Sequence, residues 1–329
     1  MTRKKFLQTA AGVAGAMAVR ASESTPEVYP VPPLARKNDS KRSLDLTEND
    51  RMLRFLKQGG IRHVIYGGNA FLYHTTLAEY RELTEWLGGK TGEFSITAGI
   101  GPSYGRAMDQ APLIRRHKFA AVLALPCADP RDAAGMESGY REIAESCGVP
   151  LSLYIKDEAN FGPDKEAGLD VVGRLIDAKV ATSIKYAVVR KDPADDAYLR
   201  SLLRRVDGSR IISGIGERPA IVHVRDFKLS GFTTGSGCLA PKASQALLQA
   251  CLHKDYEKAE RIRSAFIPLE DLRDAWGPPR VLHSAVALAG LSATGPIPPF
   301  VSGLNAAHLA KLKPVAKALL EADSSEARW

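Results

Sequence analysis

The chain has 329 residues, 45% of them apolar and 25% charged, which is ordinary globular composition and enough length for one large α/β domain. Its formal charge of +8 is concentrated at the start, where residues 1–42 hold eight Lys or Arg against three Asp or Glu, leaving +3 for the rest. That distribution argues against a broad basic surface for nucleic acid, and Trp86, Trp276 and Trp329 show no aromatic platform for one.

In chain order, the first feature is a leader. Arg3-Lys4-Lys5-Phe6-Leu7 precedes an apolar, small-residue run over 10–19, with a small-residue cleavage region near 18–22. This is the layout of an export signal. It resembles a twin-arginine signal in which Lys4 replaces the second arginine, so the expected destination is periplasmic or exported, with the cytoplasm as the alternative. A frayed basic terminus or a membrane-surface anchor remains the plainer reading. The run is too short to span a bilayer comfortably, and no other segment has about 18 consecutive apolar residues. No stable membrane span is expected after processing, and residues 1–28 are assigned to leader.

Short apolar runs then alternate with helical patterns. The strand candidates are Val31-Pro32-Pro33-Leu34, His63-Val64-Ile65-Tyr66, Phe94-Ser95-Ile96-Thr97, the run 120–125, the run 149–154, Ala181-Thr182-Ser183-Ile184, Arg210-Ile211-Ile212 and Gly231-Phe232-Thr233-Thr234. Between the first two, Thr47 and Asp50 suggest a capping-box start, Leu53 and Leu56 share a face, and Gly59 suits a positive-φ stop. Leu77, Tyr80, Leu83 and Leu87 make the next helical stripe, ended by Gly88.

Alternation this regular implies parallel strands joined by helical crossovers. Eight repeats in about 200 residues favour a closed (β/α)8 TIM barrel over an open doubly wound sheet. The barrel is placed at 29–240. Beyond it, 241–329 carries apolar patterns at 246–252, 256–269, 280–291 and 304–320 that read as appended C-terminal helices, a common packing or oligomer surface.

Metal chemistry is not indicated. Cys127, Cys147, Cys238 and Cys251 lack the two-residue spacing of zinc or redox sites, and His63, His223 and His283 sit in apolar surroundings as core histidines do. Gly214-Ile215-Gly216-Glu217 is read as turn geometry before phosphate binding, and Arg261 and Arg263 with nearby acids as a solvated helix face.

A barrel active site lies where strands end. Tyr154 ends one apolar run and Lys185 another. A lysine there needs a polar pocket, since burial of its charge is costly and depresses its pKa, as an imine-forming amine requires. Position alone leaves open that Lys185 snorkels or pairs with a carboxylate, and that Tyr154 is core packing.

From about residue 29 to 304 the sequence resembles the dihydrodipicolinate synthase and N-acetylneuraminate lyase family. Gly67-Gly68-Asn69-Ala70-Phe71 stands where that family has its carboxylate-binding loop, and Thr76 with Glu79 keeps the following helix start. Ala98-Gly99-Ile100-Gly101 matches the glycine-rich end of the third strand. Tyr154 falls on the catalytic tyrosine, Ile184-Lys185 on the Schiff-base pair, and Ser213-Gly214 and Gly231-Phe232-Thr233-Thr234 on the ends of strands seven and eight.

The resemblance implies a lyase, of aldolase or dehydratase type, that acts on a 2-oxo acid or sugar acid. Lys185 would be the imine-forming amine and Tyr154 the proton relay. Gly67, Gly68, Asn69, Lys156, Gly214 and Thr233 would bind substrate, no cofactor or metal would be needed, and the assembly would be a homotetramer. The departures are specific. Gly68-Asn69 replaces the family's threonine pair and Phe71 its glutamate, and Ile155-Lys156-Asp157-Glu158-Ala159 lacks the synthase's substrate-gripping arginine. Pro126-Cys127-Ala128-Asp129-Pro130 occupies the region of its paired tyrosines. Gly67-Gly68 and Lys156-Asp157 look closer to the sugar-acid dehydratase branch. The alternative function is a catalytically inactive barrel that binds sugar acids or acts as a scaffold.

Overall fold

A computed structural model describes residues 26–324. The twin-arginine-like stretch and its cleavage region therefore lie outside the described residues. Eight strands, β1 (Glu27–Pro30), β2 (His63–Tyr66), β3 (Ser95–Ile100), β4 (Ala121–Ala124), β5 (Leu151–Ile155), β6 (Ala181–Tyr186), β7 (Ile211–Ser213) and β8 (Gly231–Thr234), form one sheet in the order β1-β8-β7-β6-β5-β4-β3-β2. Every paired neighbour is parallel. β1 also lies against β2, so the sheet curls into a nearly closed (β/α)8 barrel.

Helices α1 (Leu46–Gln58), α2 (Leu77–Gly88), α3 (Tyr104–Ile114), α4 (Ala133–Cys147), α5 (Lys165–Asp177), α6 (Ala197–Leu203), α7 (Ala220–Arg225) and α8 (Pro241–Leu252) follow the strands in turn. Each buries one apolar stripe, such as Met52, Leu53 and Leu56 on α1 or Leu169, Val172 and Leu175 on α5. α8 packs on β1, which makes it the eighth barrel helix, a place the sequence boundary at 240 had given to the appendix. The true appendix is α9 (Tyr256–Trp276), α10 (Pro278–Leu288) and α11 (Ala306–Ser324). α9 packs on α8, α10 and α11, and α10 reaches the turn at Gly68–Ala70 beside the barrel mouth. Among the described residues, no helix is long and apolar enough to cross a membrane.

Several local expectations shift by a few residues. The first strand is Glu27–Pro30 and not the Val31-Pro32-Pro33-Leu34 run, because Pro32 and Pro33 have no N–H to give a ladder. α1 is capped by Asp45, which accepts from the Glu48 N–H at 3.2 Å, while Thr47 lies inside the helix. Gly59 ends it at φ −79°, and the positive φ belongs to Gly60 at 81°. On α2 the capping box of Thr76 and Glu79 is complete, and Tyr80, Leu83 and Leu87 are buried, but Leu77 at the first turn is exposed.

Candidate active site

The pairing of β5 with β6 builds the centre of the barrel mouth. Leu151 faces Ala181, but the register slips by one residue before Ser152, which faces Ser183. The slip leaves Thr182 as the extra residue, as in a β-bulge. From there Tyr154 lies opposite Lys185, whereas an unbroken ladder would have set it opposite Ile184, on the other face of the sheet. One layer below, the Ser183 hydroxyl donates to Ser152 Oγ at 2.9 Å, so the floor beneath the pair is polar and bonded within itself.

Lys185 is 5% exposed, and its Nζ stands 4.2 Å from the centroid of the Tyr154 ring. The amine thus rests over the ring face, where a cation is attracted, and not at the hydroxyl end the relay role suggests. Burial lowers its pKa to about 7, and the Arg273 guanidinium adds to the effect by repulsion. The Tyr154 phenol is pushed up by burial, against the pull of Lys156.

These two residues open on a cavity of about 360 Å³ at the C-terminal ends of the strands. Gly68, Asn69, Lys156, Gly214 and Thr233 line it with them. Lys156 is exposed at the rim, Thr233 is buried at the base, and Gly214 lies where a Cβ would meet the Tyr186 carbonyl at 2.6 Å. Gly67 is not part of the wall. It is buried with its Cβ position 3.0 Å from Leu123, so its smallness serves packing and not ligand approach.

The loop after β2 differs from the cradle expected of it. The N–H groups of Ala70 and Phe71 close a tight turn onto Gly67 O and Gly68 O at 3.1 and 3.0 Å, and Asn69 Nδ2 donates to Val31 O at 2.9 Å. Phe71, at a left-handed φ of 54°, buries its ring edge-on against His283 of α10.

Among the wall residues that escaped the sequence reading are Tyr73, Arg190, Glu270 and Arg273. Tyr73 packs over Gly68, and its phenol is pushed up by burial and then by nearby Tyr154. Arg190, in the loop after β6, pairs with Glu158 and, at 3.1 Å, with Asp196. Glu270 and Arg273 come from α9. Beside them Glu217 is fully buried, and burial raises both carboxyl pKa values, that of Glu270 to about 8. The two acids lie close enough that each acts on the other's carboxyl. Glu270 accepts from the N–H groups of Glu217 and Arg218 at 3.1 and 2.8 Å, and Glu217 accepts from Ser244 Oγ at 2.6 Å. Gly216 permits this approach: at φ 86°, a Cβ would stand 2.2 Å from Glu270 Oε1.

His223 and His283 are core histidines, held near a pKa of 4 by burial and bonded to Ser213 Oγ and Gly295 O. Among the described residues, no group of three His, Cys, Asp or Glu is arranged to hold a metal ion.

No protein-family model and no curated protein sequence matches the chain. Solved structures do. Dihydrodipicolinate synthase from Oceanobacillus iheyensis superposes with a TM-score of 0.76 at 23% identity, over 90% of this chain and 97% of that one. The 4-hydroxy-tetrahydrodipicolinate synthase of Methylacidiphilum fumariolicum gives 0.77 at 20%, over 90% and 96%. The dihydrodipicolinate synthase of Agrobacterium tumefaciens gives 0.74 at 19%, over 89% and 98%. The chain has the dihydrodipicolinate synthase fold over nearly its whole described length.

Proposed function

We propose that this chain is a Schiff-base-forming lyase of the dihydrodipicolinate synthase and N-acetylneuraminate lyase family, acting on a 2-oxo acid or sugar acid. The observation that carries the reading is Lys185: an amine 5% exposed, at a strand end, facing a cavity of about 360 Å³, with its pKa lowered to about 7. Such an amine is substantially neutral near pH 7 and nucleophilic. It adds to the substrate's ketone carbon, the carbonyl oxygen takes up protons and leaves as water, and the resulting iminium remains on Nζ. The iminium then accepts the electron pair of a bond broken at the neighbouring carbon, giving an enamine. Tyr154 and Tyr73, both phenols kept protonated, are the wall groups suited to pass the protons.

Borohydride with pyruvate, and with longer 2-oxo acids, tests the reading. The expected result is a reduced adduct on the peptide bearing Lys185, absent from Lys185→Arg, whose guanidinium keeps the charge but does not lose its proton. If no 2-oxo acid is trapped, or if the Arg variant traps equally well, the imine is wrong and a binding role takes its place.

A further inference from the structure

We propose that Arg273, delivered by the appended helix α9, is the charged carboxylate-binding residue of this cavity. The inference rests on the reading of the ligand as a 2-oxo acid and names which of its groups goes where.

The first support is the state of the loop. Its Ala70 and Phe71 N–H groups and the Asn69 amide already donate within the protein, and the Tyr73 ring lies 3.6 Å from where a Gly68 side chain would begin. These bonds take the Asn69 amide from the cradle and leave the loop the backbone N–H groups of Gly68 and Asn69, neutral donors that are a weaker match for a carboxylate than a guanidinium.

The second is the state of the cations around the cavity. Arg190 is matched by Glu158 and Asp196, and Arg218 by Asp271 at 2.6 Å and Asp274 at 3.3 Å. Lys156 is exposed at the rim. Arg273 differs from all of these. Its side chain is 12% exposed, and its contact with Glu270 is a long 3.8 Å. Its Nη1 donates to Ser236 Oγ at 3.2 Å, and its Nε, like that of Arg190, is buried without a partner. Glu270, whose oxygens accept two backbone N–H groups, is only a distant counterion for it. A buried guanidinium so lightly engaged has donors left for a bidentate carboxylate.

The third is position. In a 2-oxo acid the carboxylate carbon is bonded to the carbon that the amine attacks, so its binding group must stand beside that amine. Arg273 and Lys185 line the same cavity, and the guanidinium charge reaches the amine. The fit is close: a Cβ at Gly235 would lie 2.5 Å from Arg273 Nη2, so a side chain at residue 235 would make the guanidinium shift.

The experiment compares two ketones at pH 9, well above the Lys185 pKa of about 7 in the wild type: pyruvate, and hydroxyacetone, which has no carboxylate. Borohydride trapping by the full chain is measured against ketone concentration. Arg273→Gln should raise the half-saturating pyruvate concentration about 10- to 100-fold, the size of a lost charged hydrogen bond, while hydroxyacetone moves less than about 2-fold. Arg273→Lys, which keeps the charge, should recover part of the pyruvate loss and so separates binding from a folding defect. Equal shifts for the two ketones, or none for pyruvate, overturn the proposal. Calorimetry with D-lactate, a carboxylate that forms no imine, keeps the two readings apart. Lactate binding that is lost in Arg273→Gln while the wild type traps no ketone removes the imine and leaves the clamp standing. Pyruvate trapping that is unchanged in Arg273→Gln removes the clamp and leaves the imine. A wild type that neither traps nor binds overturns both.

Discussion

Lys185 and Arg273 meet at one cavity by unlike routes. Lys185 is set by a strand, and its direction follows from the pleat, the β5–β6 register and the bulge at Thr182. Arg273 sits 88 positions later on a helix outside the barrel's repeat, and its direction follows from how α9 packs on α8, α10 and α11. Ladder hydrogen bonds hold the first. Buried polar contacts hold the second: the Glu217 and Glu270 pair, the N–H groups at 217 and 218, and the gap left by Gly235. The strand half of the site is tied to the fold itself, whereas the helix half depends on a few charged and polar groups that can be changed singly.

The strand half should give the largest effect, and its sign is unusual for a core substitution. The folded pKa of Lys185, about 7, lies well below the value near 10.4 of an unfolded lysine. Between those values the unfolded chain binds a proton that the folded chain refuses, so the lysine costs stability that is fully felt below about pH 7 and gone above about 10.5. Lys185→Met should therefore stabilise the fold at pH 7 by up to about 4 kcal/mol while losing all trapping. Urea unfolding of both proteins at pH 7 and pH 10.5 measures this. A variant no more stable than the wild type at pH 7 would mean that the amine is not held in the desolvated state the geometry gives it.

The helix half should behave in the opposite sense. Glu270→Leu takes the acceptor from two backbone N–H groups and the nearby carboxylate from Arg273, and should cost about 3 kcal/mol. Glu270→Gln keeps an acceptor oxygen there and should cost about 1 kcal/mol. Equal losses in the two variants, measured by the same unfolding experiment, would show that packing of α9 holds Arg273 in place and the polar contacts do not.

What the sequence made legible divides along the same line. Apolar runs ending in Tyr154 and Lys185 announced two strand ends, and the eight alternations announced the barrel, because pleat and crossover impose their periods on the chain. The bulge that brings the two residues face to face was hidden, since Thr182 is as good a strand residue as its neighbours. Tyr73 left only a faint signal, an aromatic two residues beyond the altered loop. Glu270 and Arg273 left none: acids and arginines three apart on a helix look the same whether they face water or a cavity, and packing decides which. Gly67 was overread for a related reason, because a doubled glycine does not say which member faces the ligand.

The smallest effect is the most direct measure of whether the two halves communicate. Trapping needs the neutral amine, so with pyruvate saturating it should rise with pH through the folded pKa of Lys185, with a midpoint near 7 in the wild type. Burial is the larger cause of that low value and Arg273 the smaller. Replacing Arg273 by Gln removes a positive charge that disfavours the ammonium and leaves the Glu217 and Glu270 pair uncompensated nearby. Both changes favour the protonated amine, so the midpoint should move up, by less than the shift that burial supplies. Tyr154 stays protonated over this range, its phenol pushed up by burial, and does not contribute a limb of its own. Trapping at a series of pH values, with saturation checked at each, gives the two midpoints. An upward move shows that α9 tunes the amine through space. A midpoint unchanged by Arg273→Gln would confine the control of Lys185 to the barrel, and a wild-type midpoint near 10 would deny that burial activates the amine.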